Sequence, residues 1–105
     1  NGVRYIVAGP NETFASLALF LNMYERTLRK YNDALDTREL REGDIVYIYP
    51  KKNRAEKRYP YCYFRGEDTA WDIAQKYGIK LKSLYKLNAI PYGTPLTTHQ
   101  RLDLR

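Results

Sequence analysis

The sequence predicts an α+β chain of two consecutive strand–helix–helix–strand (βααβ) units, each a two-stranded antiparallel sheet carrying two helices on one face. Three observations predict it. The chain repeats: displaced by 56 positions and without a gap, Thr13 meets Thr69, Leu17 and Ala18 meet Ile73 and Ala74, Asn22 meets Gly78, and Met23 meets Ile79. The match continues through Leu28 and Leu84, Asn32 and Asn88, Leu40 and Leu96, and Val46 and Ile48 with Leu102 and Leu104. Each copy also holds two short helical patterns with a break between them. Ala70, Ile73, Ala74 and Tyr77 fall at i, i+3, i+4 and i+7, Gly78 interrupts, and the pattern resumes through Ile79, Leu81, Leu84 and Leu87. Finally, REGDIVYIYP alternates Val46 and Ile48 with Tyr47 and Tyr49, which is the period of a strand.

Taken in order, the first unit (residues 1–50) is expected to have strands at 3–8 and 45–49 around helices at 14–21 and 25–31. The second (residues 61–105) is expected to have strands at 61–65 and 101–104 around helices at 70–77 and 81–87. Thr13 and Thr69 precede apolar runs and are natural helix caps, and Asp72, three residues after Thr69, gives an acidic form of the capping box. Asn22 and Gly78 are the residue types that best tolerate a left-handed backbone, so each can stop one helix and let the next turn back. Asn32 and Asn88 end the second helical run of each copy. Phe14, Leu17, Leu21, Leu28, Leu40, Val46 and Ile48 are expected to fill one core, and Trp71, Ile73, Ala74, Leu84, Leu87, Leu96, Leu102 and Leu104 the other. Residues 51–60, PKKNRAEKRYP with its preceding proline, are basic, proline-bounded and aperiodic, and read as a linker.

Composition narrows the functional classes. The 105 residues are 44% hydrophobic and 29% charged, as in a globular protein, and no run approaches the roughly 18–20 apolar residues of a membrane span. The chain opens on Asn1 and shows no leader pattern, so it reads as a piece of a longer protein. One cysteine, Cys62, excludes an internal disulfide and a cysteine metal cage, and reads as a half-buried strand residue. The net charge of +6 suits an anionic partner or plain solubility. Eleven tyrosines supply flat apolar faces with polar tips.

The segment EDTAWDIAQKYGIKLKSLYKLNAI resembles the lysin motif (LysM) domain, whose pattern runs glycine-aspartate-threonine, a helix with an Ile-Ala pair, Tyr-Gly-Ile, a leucine, then asparagine and an aliphatic residue. The first copy resembles it more loosely in NETFASLALFLNM and more closely in LREGDIVYIYP. The resemblance implies two βααβ LysM-like units that bind N-acetylglucosamine-containing glycans, peptidoglycan or chitin, in a shallow groove between the first strand–helix loop and the second helix–strand loop. Carried over by position, it implies a first groove of Gly9, Pro10, Asn11, Glu12, Thr13 and Phe14 facing Asn32, Asp33, Ala34 and Leu35. The second is Gly66, Glu67, Asp68, Thr69 and Ala70 facing Asn88, Ala89, Ile90, Pro91 and Tyr92. The chain departs from the pattern where Asn11 and Glu67 replace the glycine before the acidic-threonine pair, with Gly9 and Gly66 lying earlier, and where His99 stands at the position of Gly43. The resemblance further implies a monomeric, cofactor-free and metal-free module in the cell envelope, attached to a catalytic domain such as a cell-wall hydrolase.

Catalysis finds little support in the residues. His99 falls in a predicted loop and reads as a solvated turn residue. Glu67 and Asp68, like Asp33 and Asp36, are neighbours in one loop, whereas a glycosidase needs two carboxylates across a cleft. No phosphate loop or zinc spacing is present. Lys51, Lys52, Arg54, Lys57 and Arg58 read as a solvated linker or as a track for a polyanion such as nucleic acid. Trp71 reads as core, and Tyr92 as the aromatic placed to touch a sugar.

Overall fold

Two threonines decide where the helices begin. Thr13 accepts a hydrogen bond from the Ser16 amide at 3.0 Å, and Ser16 Oγ accepts from the Thr13 amide at 2.9 Å. Thr69 and Asp72 make the same reciprocal pair, at 3.2 and 3.0 Å. Each pair satisfies donors that a helix start leaves open. The computed structural model describes residues 1–35 and 37–105; Asp36 lies outside the described residues. From these caps run α1 (Phe14–Leu21) and α3 (Ala70–Tyr77). They end at Asn22 and Gly78, both left-handed, with φ of 56° and 67°. After each break a seven-residue helix follows, α2 (Glu25–Tyr31) and α4 (Leu81–Leu87). All four helices occupy the residues that periodicity predicts.

The strands are shorter than expected: β1 (Tyr5–Val7) pairs antiparallel with β2 (Ile45–Tyr47), and β3 (Tyr61–Tyr63) with β4 (Arg101–Asp103). Single backbone bonds extend each ladder past its strands. Ile48 donates to Arg4 and Ala8 to Asp44 in the first hairpin, and Leu104 donates to Pro60 and Phe64 to Gln100 in the second. These four bonds fall at matched positions 56 apart, so the sequence offset is also an offset of the hydrogen-bond pattern.

Each unit has its own core. In the first, Ala8, Phe14, Leu17, Ala18, Leu28, Ala34 and Val46 are buried, with Leu21, Leu40 and Ile48 packed at the margin. In the second, Trp71, Ile73, Ala74, Ile79, Leu81, Leu84, Tyr85, Leu102 and Leu104 are buried, joined by Ala55. Leu87, expected in that core, is only half-buried and lines a surface cleft instead.

The division between the units differs from the expected one. The compact units are Gly2–Lys51 and Lys52–Arg105, the latter with Asn1, so residues 52–60 are part of the second unit rather than a linker. Lys52 accepts from Lys80 and donates to Gly78 through its backbone, Ala55 donates to Leu104 at 2.7 Å, and Arg105 Nη1 donates to the Ala55 carbonyl. Backbone bonds, the buried methyl of Ala55 and scattered side-chain contacts of Asn53, Glu56 and Tyr59 hold the segment in place without any apolar period. Lys51 closes the first unit: its ammonium is buried and sits 2.6 Å from Asp33.

Candidate functional site

In the first unit, the loop entering α1 is built by its own side chains. Glu12 folds back so that its carboxylate accepts from the Gly9 amide at 2.6 Å, and Asn11 takes a left-handed backbone with φ of 64°. A Cβ at position 9 would stand 2.9 Å from the Glu12 carboxylate and would push that flexible side chain aside. Pro10, Asn11 and Thr13 are exposed and Glu12 half-buried. Phe14, carried over as a groove residue, is buried at 1% exposure and belongs to the core. Its position is the first of the helix, and its ring turns inward with Leu17 and Ala18.

The facing loop, residues 32–35, is likewise half structural. Asn32 is fully buried: its Nδ2 donates to the carbonyls of Leu28 and Tyr47 at 2.8 and 2.9 Å, and its Oδ1 accepts from the Tyr47 amide at 2.7 Å. Ala34 is also buried. Neither side chain is available to a ligand, because both close the end of α2 onto β2. Asp33 is left-handed (φ 52°) and bound to Lys51, whose pKa burial pulls down while Asp33 pushes it back up. Leu35 alone of the four is exposed.

Arg29 joins the two loops, and the sequence reading did not single it out. Its guanidinium lies 4.8 Å from the centre of the Phe14 ring, pairs with Glu25 at 2.8 Å, and donates to the carbonyls of Ala34 and Arg38 at 3.0 and 2.9 Å. The spacing of Glu25 and Arg29 at i, i+4 is the one signal in the sequence that pointed to it.

In the second unit, Gly66, Glu67, Asp68 and Thr69 are exposed and Ala70 half-buried. Gly66 has φ of 86°, and a Cβ there would approach Thr98 Oγ1 at 3.3 Å, so this loop lies beside the turn that leads into β4. Glu67 and Asp68 line a cleft of about 530 Å³ with Tyr61, Tyr63, Lys76 and Tyr77; residues 88–92 are not among its walls. Across the chain, Asn88 repeats the Asn32 clamp, donating to Leu84 and Asp103 carbonyls at 2.8 and 3.0 Å and accepting from the Asp103 amide at 2.7 Å. Ala89 is left-handed (φ 55°), and Ile90 is half-buried against the core. Pro91 and Tyr92 are exposed, Tyr92 at 66%, with its ring centre 5.2 Å from that of Tyr85. Tyr85 is a buried backing for that ring which the sequence reading also missed.

The remaining reactive groups are quiet. Burial pushes the Cys62 thiol pKa up, with Lys76 only partly opposing it. His99 is exposed at φ 71°, donating its amide to Phe64 as Gly43 does to Ala8. Trp71 is buried. No group of three or more His, Cys, Asp or Glu among the described residues is placed to hold a metal ion. No helix among the described residues is long and apolar enough to cross a membrane.

Residues 65–105 match the family model of the LysM domain. Comparison with curated protein sequences returns no significant match. Among solved structures, the chain is similar to the spore cortex-lytic enzyme SleL of Bacillus cereus, at 20% identity and a TM-score of 0.42 over 98% of this chain and 22% of that one. It is similar to SleL of Bacillus megaterium QM B1551 at 17% identity and a TM-score of 0.40, over 96% and 22%. The chain therefore spans about a fifth of the length of those enzymes.

Proposed function

We propose that this chain is a non-catalytic carbohydrate-binding module for N-acetylglucosamine-containing glycans, peptidoglycan foremost, and that it anchors a larger cell-wall protein, such as a hydrolase, within the cell envelope. The observation that carries this reading is the LysM match over residues 65–105, in which Tyr92 stands exposed on a buried ring beside the clamped Asn88. The reading extends to both units as a tandem, supported by the repetition of the caps, the left-handed breaks and the asparagine clamps at an offset of 56. A glycan would be held through exposed loop backbone and small side chains at 9–13 and 66–70, with Leu35 and Tyr92 as apolar surfaces for acetyl methyls and sugar faces. The attached hydrolase rests on the family resemblance alone.

Retention on purified peptidoglycan and calorimetric titration with N-acetylglucosamine oligomers test the proposal. Saturable heat is expected, with Y92A weakening binding by about 5–10-fold. No retention and no heat at about millimolar oligomer would reject it. A second reading, a module that packs on another protein, is favoured by Leu19 and Phe20, which α1 leaves 83% and 82% exposed. It predicts that L19K/F20K abolishes association with that partner and leaves glycan heats unchanged.

A further inference from the structure

Of the basic run at 51–58, Lys51 is taken by Asp33 and Arg58 by Glu56. Arg54 is exposed and lines a cleft of about 770 Å³ with Lys80, Lys82 and Lys86, as well as a neighbouring depression bordered by Glu56 and Lys57. The rest of the lining is Asn53, Ser83 and Leu87, with no carboxylate and no aromatic ring. Ser83 Oγ donates to Asn53 Oδ1 at 2.9 Å, which fixes that amide and leaves its NH₂ as a further donor. None of the four cations forms an ion pair with a described residue.

This arrangement costs the fold something. Lys82 and Lys86 are like charges at i, i+4, and Lys80 sits at the positive end of α4, whose first turn has no acid. At the matched positions α2 also carries a basic pair, Arg26 and Lys30, but it has Tyr24 in place of Lys80 and Glu25 in its first turn. The four-cation cleft therefore belongs to the second unit alone.

We infer that this cleft binds a phosphodiester polyanion through its backbone phosphates, as in a polyol-phosphate chain. Arg54 offers the planar fork that matches a phosphate, and the three lysines offer point charges along its path. The missing aromatic ring argues against nucleic acid, whose bases would find no stacking surface. The absence of any acid in the lining suits a polymer charged at every repeat. The inference does not depend on the glycan reading, since the cleft shares no residue with the loops at 66–70 and 88–92.

The test is fluorescence anisotropy of the full chain with a labelled poly(glycerol phosphate) oligomer. Four phosphate contacts at a slope of about −0.7 each give about a 50-fold loss of affinity between 50 and 200 mM salt. The double variant K82Q/K86Q is expected to bind at least about tenfold more weakly with about half the salt slope, and K57Q, outside the cleft, to bind as the parent does. Emission of Trp71, the only tryptophan and a core residue of this unit, checks that the variants stay folded. Absence of binding at low salt, or an unchanged slope in K82Q/K86Q, would overturn the inference. So would tighter binding of a single-stranded oligonucleotide or of a carboxylate-bearing peptide of equal charge, or displacement by neutral N-acetylglucosamine oligomers.

Discussion

Asn32 and Asn88 stand at matched positions, each bonded once to the preceding helix and twice to a strand residue fifteen positions on, yet one is fully buried and the other only partly so. The backbone around them is matched too. Asp33 and Ala89 are both left-handed, as are Gly43 and His99, and Asn22 and Gly78. At the first two of these positions one unit has aspartate or glycine where the other has alanine or histidine, while at the third both residues tolerate the left-handed backbone. The difference teaches that the turn geometry is held by backbone bonds, local ones at the helix ends and long-range ones at the strand, as well as by the residue in the turn. The amides of Ala34 and Ile90 reach the carbonyls of Arg29 and Tyr85, and those of Gly43 and His99 reach Ala8 and Phe64, whatever side chain intervenes.

The comparison can be broken most sharply at the clamps. N32A leaves the buried amide and carbonyl of Tyr47 without that partner and is expected to cost about 3 kcal/mol. N88A, where water can replace the lost bonds, is expected to cost about 1.5 kcal/mol. Denaturant unfolding of the two variants, with hydrogen exchange at the Tyr47 and Asp103 amides, measures both; equal losses would remove the difference in depth. Next comes D33A, which takes the carboxylate from buried Lys51 and is expected to cost about 2 kcal/mol, below the full buried-pair range because Asp33 keeps 23% of its side-chain exposure. Ala89, at the position matching Asp33, has no buried lysine beside it among the described ion pairs, so A89D should gain nothing comparable.

Removing the caps is a smaller perturbation. T13A and T69A are each expected to cost about 1 kcal/mol, because both hold the same reciprocal pair. A loss confined to T69A would show that the threonine stabilises its helix only where its partner in the box is an aspartate. The smallest effects run the other way: A89G and H99G relieve left-handed strain and are expected to gain about 0.5–1 kcal/mol, after the entropy glycine restores to the unfolded chain. Thermal unfolding followed by Trp71 emission measures both, and destabilisation by either would show that the left-handed turn is not strained.

Much of this was legible in the residues. α1 and α3 were readable to their ends because threonine caps and left-handed stops are local signals with local causes, whereas α2 and α4 were readable from their apolar spacing. The groove was less so. Phe14, Asn32 and Ala34 sit where the family pattern places ligand loops, but their side chains face inward, and no periodicity in a loop of four or five residues announces which way a side chain turns. Arg29 and Tyr85 lay inside regular helices and gave no sign of the loops they support.

The sequence by itself determined the repeat, the order of the elements and the places where the chain must turn, since caps, periodicity and backbone tolerance act over a few residues. Only the tertiary structure decided the rest. It drew residues 52–60 into the second unit through backbone bonds that leave no pattern in the side chains. It also brought Arg54 into one cleft with Lys80, the N-cap of α4, and with Lys82 and Lys86 within α4, about thirty positions away. Long-range proximity of that kind follows from packing, which one chain's local preferences do not encode.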